Sequence, residues 1–228
     1  MNMQLLIGNK NYSSWSMRPW VLMRALDLPF EEVKLRLEFG PDSSFRRAVA
    51  AHSPAGKVPV LRLDDGFVIW DTLAIAETLA DLFPQAGVWP ADARNRARAR
   101  SICAEMHSGF GALRSHCPMN IEAALSEAGA RIWSEQAAVR TDVARIEAIW
   151  GDALAESGGP FLFGAFGAAD AFFAPVVMRL RGYGLPVSAG AQAYVERMVA
   201  QPAVAAWIAD ALAEQDFIAD DEPYRRRR

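Results

Sequence analysis

Two short segments of the sequence combine residue types that could bind a peptide-like ligand. In Gly56-Lys57-Val58-Pro59 a proline begins an apolar run that predicts a strand. Proline lacks the N–H of a strand ladder and favours the first residue of a strand, where a turn can hold a cis X–Pro bond. A cis bond would leave the backbone N–H and C=O of Val58 free for a ligand. Asp71-Thr72 then begins a helix whose N-terminus can bind a carboxylate, so together the segments predict a site for a small peptide.

Hydroxyl groups are concentrated between the first predicted strand and the first predicted helix. Tyr12, Ser13, Ser14 and Ser16 lie within five consecutive residues. A hydroxyl that donates a hydrogen bond to a thiolate lowers the pKa of the thiol, and a helix N-terminus acts in the same direction. The same serines are also good helix N-caps. One serine can cap the helix while another donates to a thiolate, so the two interpretations are compatible.

The bulk composition predicts a globular protein without a nucleic-acid or membrane partner. The 228 residues are 52% hydrophobic and 22% charged, and the net charge of −3 gives no field that attracts nucleic acid. The apolar runs are too short for a transmembrane helix. Cys103 and Cys117 do not form a disulfide framework, so we expect a reducing, cytoplasmic location. The arginines at 225–228 are expected to form a frayed, solvated end.

The hydrophobic pattern predicts an α/β domain over 1–83. Its order is β-α-β, a loop with a short helix, then β-β-α. The Asp64-Asp65-Gly66 turn is a strong hairpin signal between the last two strands. The predicted strands span 4–8, 32–37, 59–63 and 67–70. The first predicted helix ends near Leu28, the second is a short helix or turn at 43–51, and the third spans 72–83.

The composition changes after residue 83, and the rest of the chain predicts helices without a strand. A proline-bounded linker covers 84–90 and precedes an all-helical domain over 91–228. The fold class is therefore α/β plus all-α, with a helical bundle as the second domain. The predicted helices of this domain span 92–116, 130–156, 168–183, 191–199 and 203–214.

Four motifs in this order resemble the cytosolic glutathione S-transferase family over essentially the whole chain. Ser13-Ser14-Trp15-Ser16-Met17-Arg18 is similar to the Ser-Ser-Cys-Ser-x-Arg signature of the zeta class. Lys57-Val58-Pro59 resembles the family's x-Val/Ile-Pro, and Asp71-Thr72-Leu73-Ala74-Ile75 resembles its acidic/Gln-Ser-x-Ala-Ile. The segment 163–170 is similar to the one before the family's buried sixth helix. The resemblance implies a thioredoxin-like first domain and a zeta- or theta-like bacterial subgroup of serine type.

The resemblance implies two alternatives for the hydroxyl that activates the thiol of glutathione. Matching the double-serine signature from its start places the hydroxyl on Ser13. Counting back from Arg18, as in theta- and delta-like classes, places it on Ser14, which we favour. Tyr12 is a third hydroxyl in reach. Trp15 stands where the zeta signature has cysteine, and this argues against isomerase chemistry that uses that thiol.

The resemblance also assigns the glutathione contacts. Val58 and Pro59 would pair with the cysteinyl backbone, while Thr72 and Asp71 would hold the carboxylate and ammonium of the γ-glutamyl end. Lys57 could reach the glycyl carboxylate or remain a solvated lysine.

The second substrate is expected between the domains, against the first helix of the bundle. Trp15, Met106, His107 and Phe110 are the candidates, because methionine and aromatic side chains make adaptable apolar walls. Packing in the bundle core is the alternative for each residue of that helix. Arg114, Arg179 and Arg181 could meet an acidic second substrate, although exposed arginines need no such role.

The function that the resemblance implies is conjugation of glutathione, as co-substrate, to a small electrophile by a homodimer. Two alternatives remain: a glutathione-dependent cis–trans isomerase of the maleylacetoacetate isomerase type, and a non-catalytic binding protein with the same fold. No metal is expected, because Cys103 and His107 have ligand spacing but His116 and Cys117 would point apart. Asp170 resembles the family's buried aspartate, whose role is in folding.

Overall fold

The computed structural model describes residues 2–228, so the first residue of the predicted 1–83 domain lies outside the described residues. The N-terminal part is the expected thioredoxin-like α/β domain, with one four-stranded sheet and three helices among these residues. Its elements are β1 (Gln4–Ile7), α1 (Ser14–Ala25), β2 (Glu31–Lys34), α2 (Ser44–Ala50), β3 (Val60–Arg62), β4 (Val68–Trp70) and α3 (Thr72–Leu82).

The sheet brings the two ligand-binding segments side by side. Its strand order is β2-β1-β3-β4; β1 pairs parallel with β2 and antiparallel with β3, and β3 and β4 form an antiparallel hairpin. Gly66 has a φ of +86° in the hairpin turn, as a glycine there permits. The register pairs Val60 with Trp70. Pro59 and Asp71, one residue outside this pair, therefore lie at the same end of the hairpin.

The second half of the chain is helical, which confirms the predicted fold class. The helices of this half are α4 (Ala93–Ser108), α5 (Gly111–His116), α6 (Ser126–Glu135), α7 (Ala137–Ser157), α8 (Ala168–Tyr183), α9 (Ala189–Ala200) and α10 (Pro202–Glu214), followed by a 3₁₀ turn at Ala219–Asp221. Among residues 2–228 no helix is both long and apolar enough to span a membrane.

Two of the long helices predicted from the pattern are interrupted, so the predicted single helices at 92–116 and 130–156 were wrong. The first breaks at Gly109, where a Cβ would lie 2.7 Å from a carbonyl oxygen of the preceding turn, and at Phe110, whose φ is +55°. The second breaks at Gln136, which separates α6 from α7. Gln136 is neither glycine nor proline, so the hydrophobic pattern carried no signal for that break.

The remaining boundaries differ by a few residues. The first helix ends at Ala25 rather than near Leu28, because Asp27 adopts a left-handed φ of +52°. The strands are one to three residues shorter than predicted at one or both ends. These differences leave the order of the elements unchanged.

Two of the four C-terminal arginines, Arg225 and Arg228, pair with carboxylates, whereas Arg226 and Arg227 are exposed, so the expected frayed end is only partly correct. The Tyr12 hydroxyl donates to Glu222 at 2.7 Å, and Arg225 donates to the same carboxylate through Nε at 2.8 Å. Arg228 pairs with Glu122. These contacts tie the end of the chain to the start of α1 and to the segment after α5.

Helix α8 is the centre of the molecule, and it is buried along nearly its whole length. It packs against α1 and α4, which connects the two domains behind the predicted site. Asp170 in its first turn accepts hydrogen bonds from the backbone N–H of Leu162 (3.1 Å) and Gly167 (3.2 Å) and from the Tyr194 hydroxyl (2.8 Å). Burial raises the pKa of Asp170 to about 6. The residue caps a buried helix far from solvent.

Candidate active site

A cavity of about 480 Å³ lies between the two domains, where the hairpin end faces α4 and α5. It is lined by residues from the start of α1, the loop before β3, the start of α3, the end of α4 and α5. Seven of the residues predicted from the sequence line it: Trp15, Lys57, Val58, Pro59, Asp71, Thr72 and His107.

Val58 lines this cavity, and its backbone N–H and C=O have no partner among residues 2–228. The Val58–Pro59 peptide bond is cis. Neither the N–H nor the C=O of Val58 forms a hydrogen bond with any of residues 2–228, because the ladder of β3 begins at Val60. Val58 is half-buried and Pro59 is buried. One amide and one carbonyl are therefore available to an extended peptide.

Asp71 and Thr72 form the N-terminus of α3 at the adjacent wall. Asp71 has a φ of +75°, which is uncommon for a residue other than glycine, and its Oδ1 accepts from the N–H of Leu73 at 2.9 Å. Such backbone conformations persist where surrounding contacts hold them, and they cluster at ligand sites. The positive end of the helix points at the cavity and favours a carboxylate there.

His107 connects the two domains through Asp71 and Thr72. Its Nε2 lies 3.2 Å from Asp71 Oδ2 and its Nδ1 lies 3.4 Å from the Thr72 hydroxyl. Burial lowers the pKa of His107, and the charges of Arg18 and Arg114 add to this against the opposing effect of Asp71. The ring is therefore neutral at pH 7, with Nε2–H donating to Asp71 and Nδ1 accepting from Thr72.

The two candidate serines have different surroundings. Ser13 is buried and caps α1: its Oγ accepts from the N–H of Ser16 at 3.4 Å and donates to the Ser16 hydroxyl at 2.7 Å. Ser14 is half-buried, and its Oγ accepts from Arg179 Nη2 at 3.3 Å. The hydrogen of Ser14 thus remains available to a ligand. Neither serine lines the cavity itself; Trp15 is the residue of this segment that does.

Two of the predicted substrate contacts do not reach the cavity. Met106 is fully buried, and Phe110 is 6% exposed; both belong to the hydrophobic core. For both residues, packing in the core, which was the alternative to substrate binding, is what the structure shows. Trp15 and His107, by contrast, meet edge to face with ring centres 5.0 Å apart at the cavity wall.

The structure adds two wall residues that the sequence reasoning did not name, and it brings one of the named arginines to the wall. Ala55 and Trp70 line the cavity, and Arg114 reaches it from α5. Trp70 is 43% exposed at the last position of β4. A large aromatic residue directly before Asp71 was the signal that could have found it. Arg114 had been considered only as one of several arginines that could meet an acidic substrate.

Neither cysteine lines this cavity. Within residues 2–228, no three His, Cys, Asp or Glu side chains are grouped closely enough to hold a metal ion. Cys103 and Cys117 are both free and buried. Burial raises the pKa of Cys117 to about 12 and also raises that of Cys103. Neither thiol is poised as a nucleophile.

Two family profiles match the chain over most of its length. "Glutathione S-transferase, N-terminal domain" matches residues 12–82, and "Glutathione S-transferase, C-terminal domain" matches residues 96–210. The chain belongs to the glutathione S-transferase family. Assignment to a zeta- or theta-like subgroup stays a prediction.

Curated members of this family are distant relatives. Glutathione S-transferase GstB of Escherichia coli is 24% identical over 214 residues, which cover 88% of this chain and 95% of the relative. The maleylacetoacetate isomerase of Pseudomonas aeruginosa is 28% identical over 119 residues, or 52% of this chain. That match spans 55% of the isomerase, about half of its length.

Solved glutathione S-transferases share the fold. A glutathione transferase homolog from Burkholderia, solved with bound glutathione, is 26% identical with a TM-score of 0.68, covering 92% of this chain and 98% of that one. A sphingomonad glutathione S-transferase complexed with glutathione is 25% identical with a TM-score of 0.64, covering 91% of this chain and 98% of the other.

Proposed function

We propose that this protein is a glutathione transferase that joins the glutathione thiolate to an electrophilic carbon of a small molecule. One observation carries the proposal: the unpaired backbone of Val58 and the N-terminus of α3 face the same cavity. This pairing provides a peptide ladder and a carboxylate site side by side, in a chain of the glutathione S-transferase family. Relatives solved with bound glutathione support the choice of ligand.

Glutathione would bind in an extended conformation across the hairpin end. Its cysteinyl N–H and C=O pair with the free C=O and N–H of Val58. The γ-glutamyl carboxylate meets the N–H of Thr72, where the helix dipole favours it, and the Thr72 hydroxyl turns from His107 to donate to the same carboxylate. Asp71 receives the ammonium group. Lys57, which is exposed at the rim, takes the glycyl carboxylate.

Ser14 is our choice for the hydroxyl that stabilises the thiolate. Ser13 already donates its hydrogen to Ser16 and accepts from the helix backbone. Ser14 accepts from Arg179, which leaves its own hydrogen free for the sulfur. A hydrogen bond to a charged acceptor favours the charged form, so the thiol pKa falls toward neutrality.

The reaction needs only positioning and thiolate stabilisation from the protein. With an aryl chloride, the C–S bond forms as the C–Cl bond breaks, chloride leaves with the bonding electrons, and the thiol proton passes to solvent. Holding both reactants in one cavity makes the attack effectively intramolecular. Glutathione is consumed, so its role is that of a co-substrate.

Retention on immobilised glutathione, followed by conjugation of chlorodinitrobenzene, tests this function. We expect retention, loss of free thiol and release of one chloride per conjugate. Binding without turnover over a broad panel of electrophiles would instead favour a non-catalytic protein. A maleyl-type diacid that is isomerised while glutathione is returned unchanged would favour the isomerase.

Three further features belong to this proposal. We place the domain boundaries at 1–83 and 91–228, with 84–90 as the linker between α3 and α4.

We propose a homodimer, supported by Phe67 and Trp70, which are 63% and 43% exposed at the hairpin. Sedimentation at several protein concentrations tests this proposal. We propose a cytoplasmic location because glutathione keeps thiols reduced there; fractionation of cells tests it.

A further inference from the structure

Three arginines from three helices meet beside the candidate site without a carboxylate partner. They are Arg18 of α1, Arg114 of α5 and Arg179 of α8. Arg18 is 2% exposed and Arg179 is 6% exposed, while Arg114 is half-buried. Among residues 2–228, no carboxylate lies within ion-pair distance of any of the three. Buried charges in proteins are normally paired, so this cluster needs an explanation.

The hydrogen bonds of the three side chains are unequal. Arg179 is well satisfied, since it donates to the carbonyl of Cys117 at 2.9 Å as well as to Ser14. Arg114 donates to the carbonyls of residues 107 and 109, both at 3.2 Å. Arg18 has buried Nε and Nη1 atoms with no partner among residues 2–228. The unmet demand for an anion is therefore centred on Arg18.

Arg18 and Arg114 share one neighbour, the Trp15 ring that lines the cavity. The guanidinium carbon of Arg18 lies 4.3 Å from the centre of this ring, and that of Arg114 lies 5.2 Å from it. Arg114 itself lines the cavity. Both positive charges thus lie beside the part of the cavity wall that Trp15 forms.

The three charges also disfavour one another. Burial lowers the pKa of Arg18 to about 9, and repulsion from Arg179 and Arg114 adds to this. Burial likewise lowers the pKa of Arg179 to about 10, with Arg114 contributing. Arg18 and Arg179 remain charged at pH 7, so an anion beside Trp15 would offset the repulsion within the cluster.

We infer that the electrophile carries a carboxylate, which Arg114 binds directly beside Trp15. Arg18, which has no ion-pair partner, attracts the same carboxylate through its positive charge without contacting it. This inference rests on the proposed function, because it specifies the second substrate of that site. Glutathione's own carboxylates are accounted for at Thr72 and Lys57, which leaves the Trp15 side to the other reactant. The thiolate then attacks an electrophilic carbon whose orientation the carboxylate fixes.

Binding of an unreactive pair of ligands separates this inference from the proposed function. The probes are dinitrobenzoate and dinitrobenzamide, which lack a leaving group and differ in charge. By calorimetry with saturating glutathione, we expect the benzoate to bind at least about tenfold more tightly, as for a charge-assisted hydrogen bond. Arg114→Gln should reduce that ratio toward one, and Arg114→Lys should restore part of it.

Arg181→Gln is the matched control, because Arg181 lies on α8 near Arg179 but is exposed and lines other cavities. It should keep the wild-type ratio. Equal affinities of the wild type for both probes, or equal losses for both in Arg114→Gln, would overturn the inference. Turnover of a chlorodinitrobenzoate and its amide is measured separately: a failure there, with the binding ratio intact, counts against the proposed transferase and not against the carboxylate subsite.

Discussion

Replacement of Ser14 by alanine is the most direct perturbation of the proposed chemistry. The Ser14 hydroxyl accepts from Arg179 at 3.3 Å, and its own hydrogen, which has no acceptor among residues 2–228, is the one that we propose for the sulfur. A hydrogen bond to a charged group contributes about 1.5–3 kcal/mol. Since one pKa unit corresponds to about 1.4 kcal/mol, Ser14→Ala should raise the pKa of bound glutathione by about one to two units.

The assay is an ultraviolet titration of the thiolate in the glutathione complex. Wild-type protein should show thiolate absorbance at neutral pH, and Ser14→Ala should require a more alkaline solution. At pH 7 the smaller thiolate fraction should lower kcat/KM for a neutral aryl chloride by about ten- to one-hundredfold. The affinity for glutathione should change less, because the peptide contacts at Val58 and Thr72 remain.

Ser13→Ala is the matched control, since the two serines are neighbours but make different contacts. Ser13 caps α1, so its removal should cost about 1 kcal/mol of unfolding free energy. The thiol pKa should stay at its wild-type value. The reasoning would be refuted if Ser13→Ala raised the thiol pKa while Ser14→Ala left it unchanged.

Three further substitutions test other parts of the structure. Asp170→Ala should lower the unfolding free energy by about 3 kcal/mol, because buried donors lose their acceptor; equal melting temperatures would contradict this. Burial raises the pKa of Glu222, but hydrogen bonds from Arg225, Tyr12 and Asn120 outweigh it and leave the pKa below its usual value. The stabilisation is thus present at neutral pH and lost as pH falls through that pKa, so Glu222→Gln should destabilise at pH 7 and converge with wild type in acid; a pH-independent difference would be inconsistent. Arg18→Met should raise the unfolding free energy by about 1 kcal/mol or more while weakening dinitrobenzoate binding; a less stable variant would argue against an uncompensated charge.

Local chemistry made two walls of the cavity, at Val58-Pro59 and at Asp71-Thr72, predictable from the sequence. Val58-Pro59 and Asp71-Thr72 carry their signals in consecutive residues, and the Asp64-Asp65-Gly66 turn fixes the hairpin that places them together. The order of strands and helices was predictable from the spacing of hydrophobic residues, because that spacing is also a local feature of the sequence. Each of these features depends on contacts that are close in sequence.

The parts that sequence reasoning missed depend on tertiary contacts. The break at Gln136 has no glycine or proline to announce it, and Glu222 is paired with Tyr12 across more than two hundred residues. The arginine cluster joins Arg18 of α1 with Arg179 of α8, which are also far apart in sequence. The choice between Ser13 and Ser14 likewise needed Arg179, because only the folded chain shows which hydroxyl has a free hydrogen.

The position of Arg18 argues that the cluster exists for binding rather than for stability. Removing an ion from water costs several kcal/mol even after relaxation. Arg18 recovers part of this cost from its contacts with the Trp15 and Phe172 rings and from attraction to Asp71, which lies beyond ion-pair distance. Such cation–π contacts contribute about 0.5–2 kcal/mol each, so they offset part of that cost. A buried carboxylate would have removed the remainder within the protein itself. Its absence among residues 2–228 leaves Arg18 without an ion pair beside Trp15, a wall residue of the cavity, so an anionic reactant there can offset part of the charge and bind more tightly as a result.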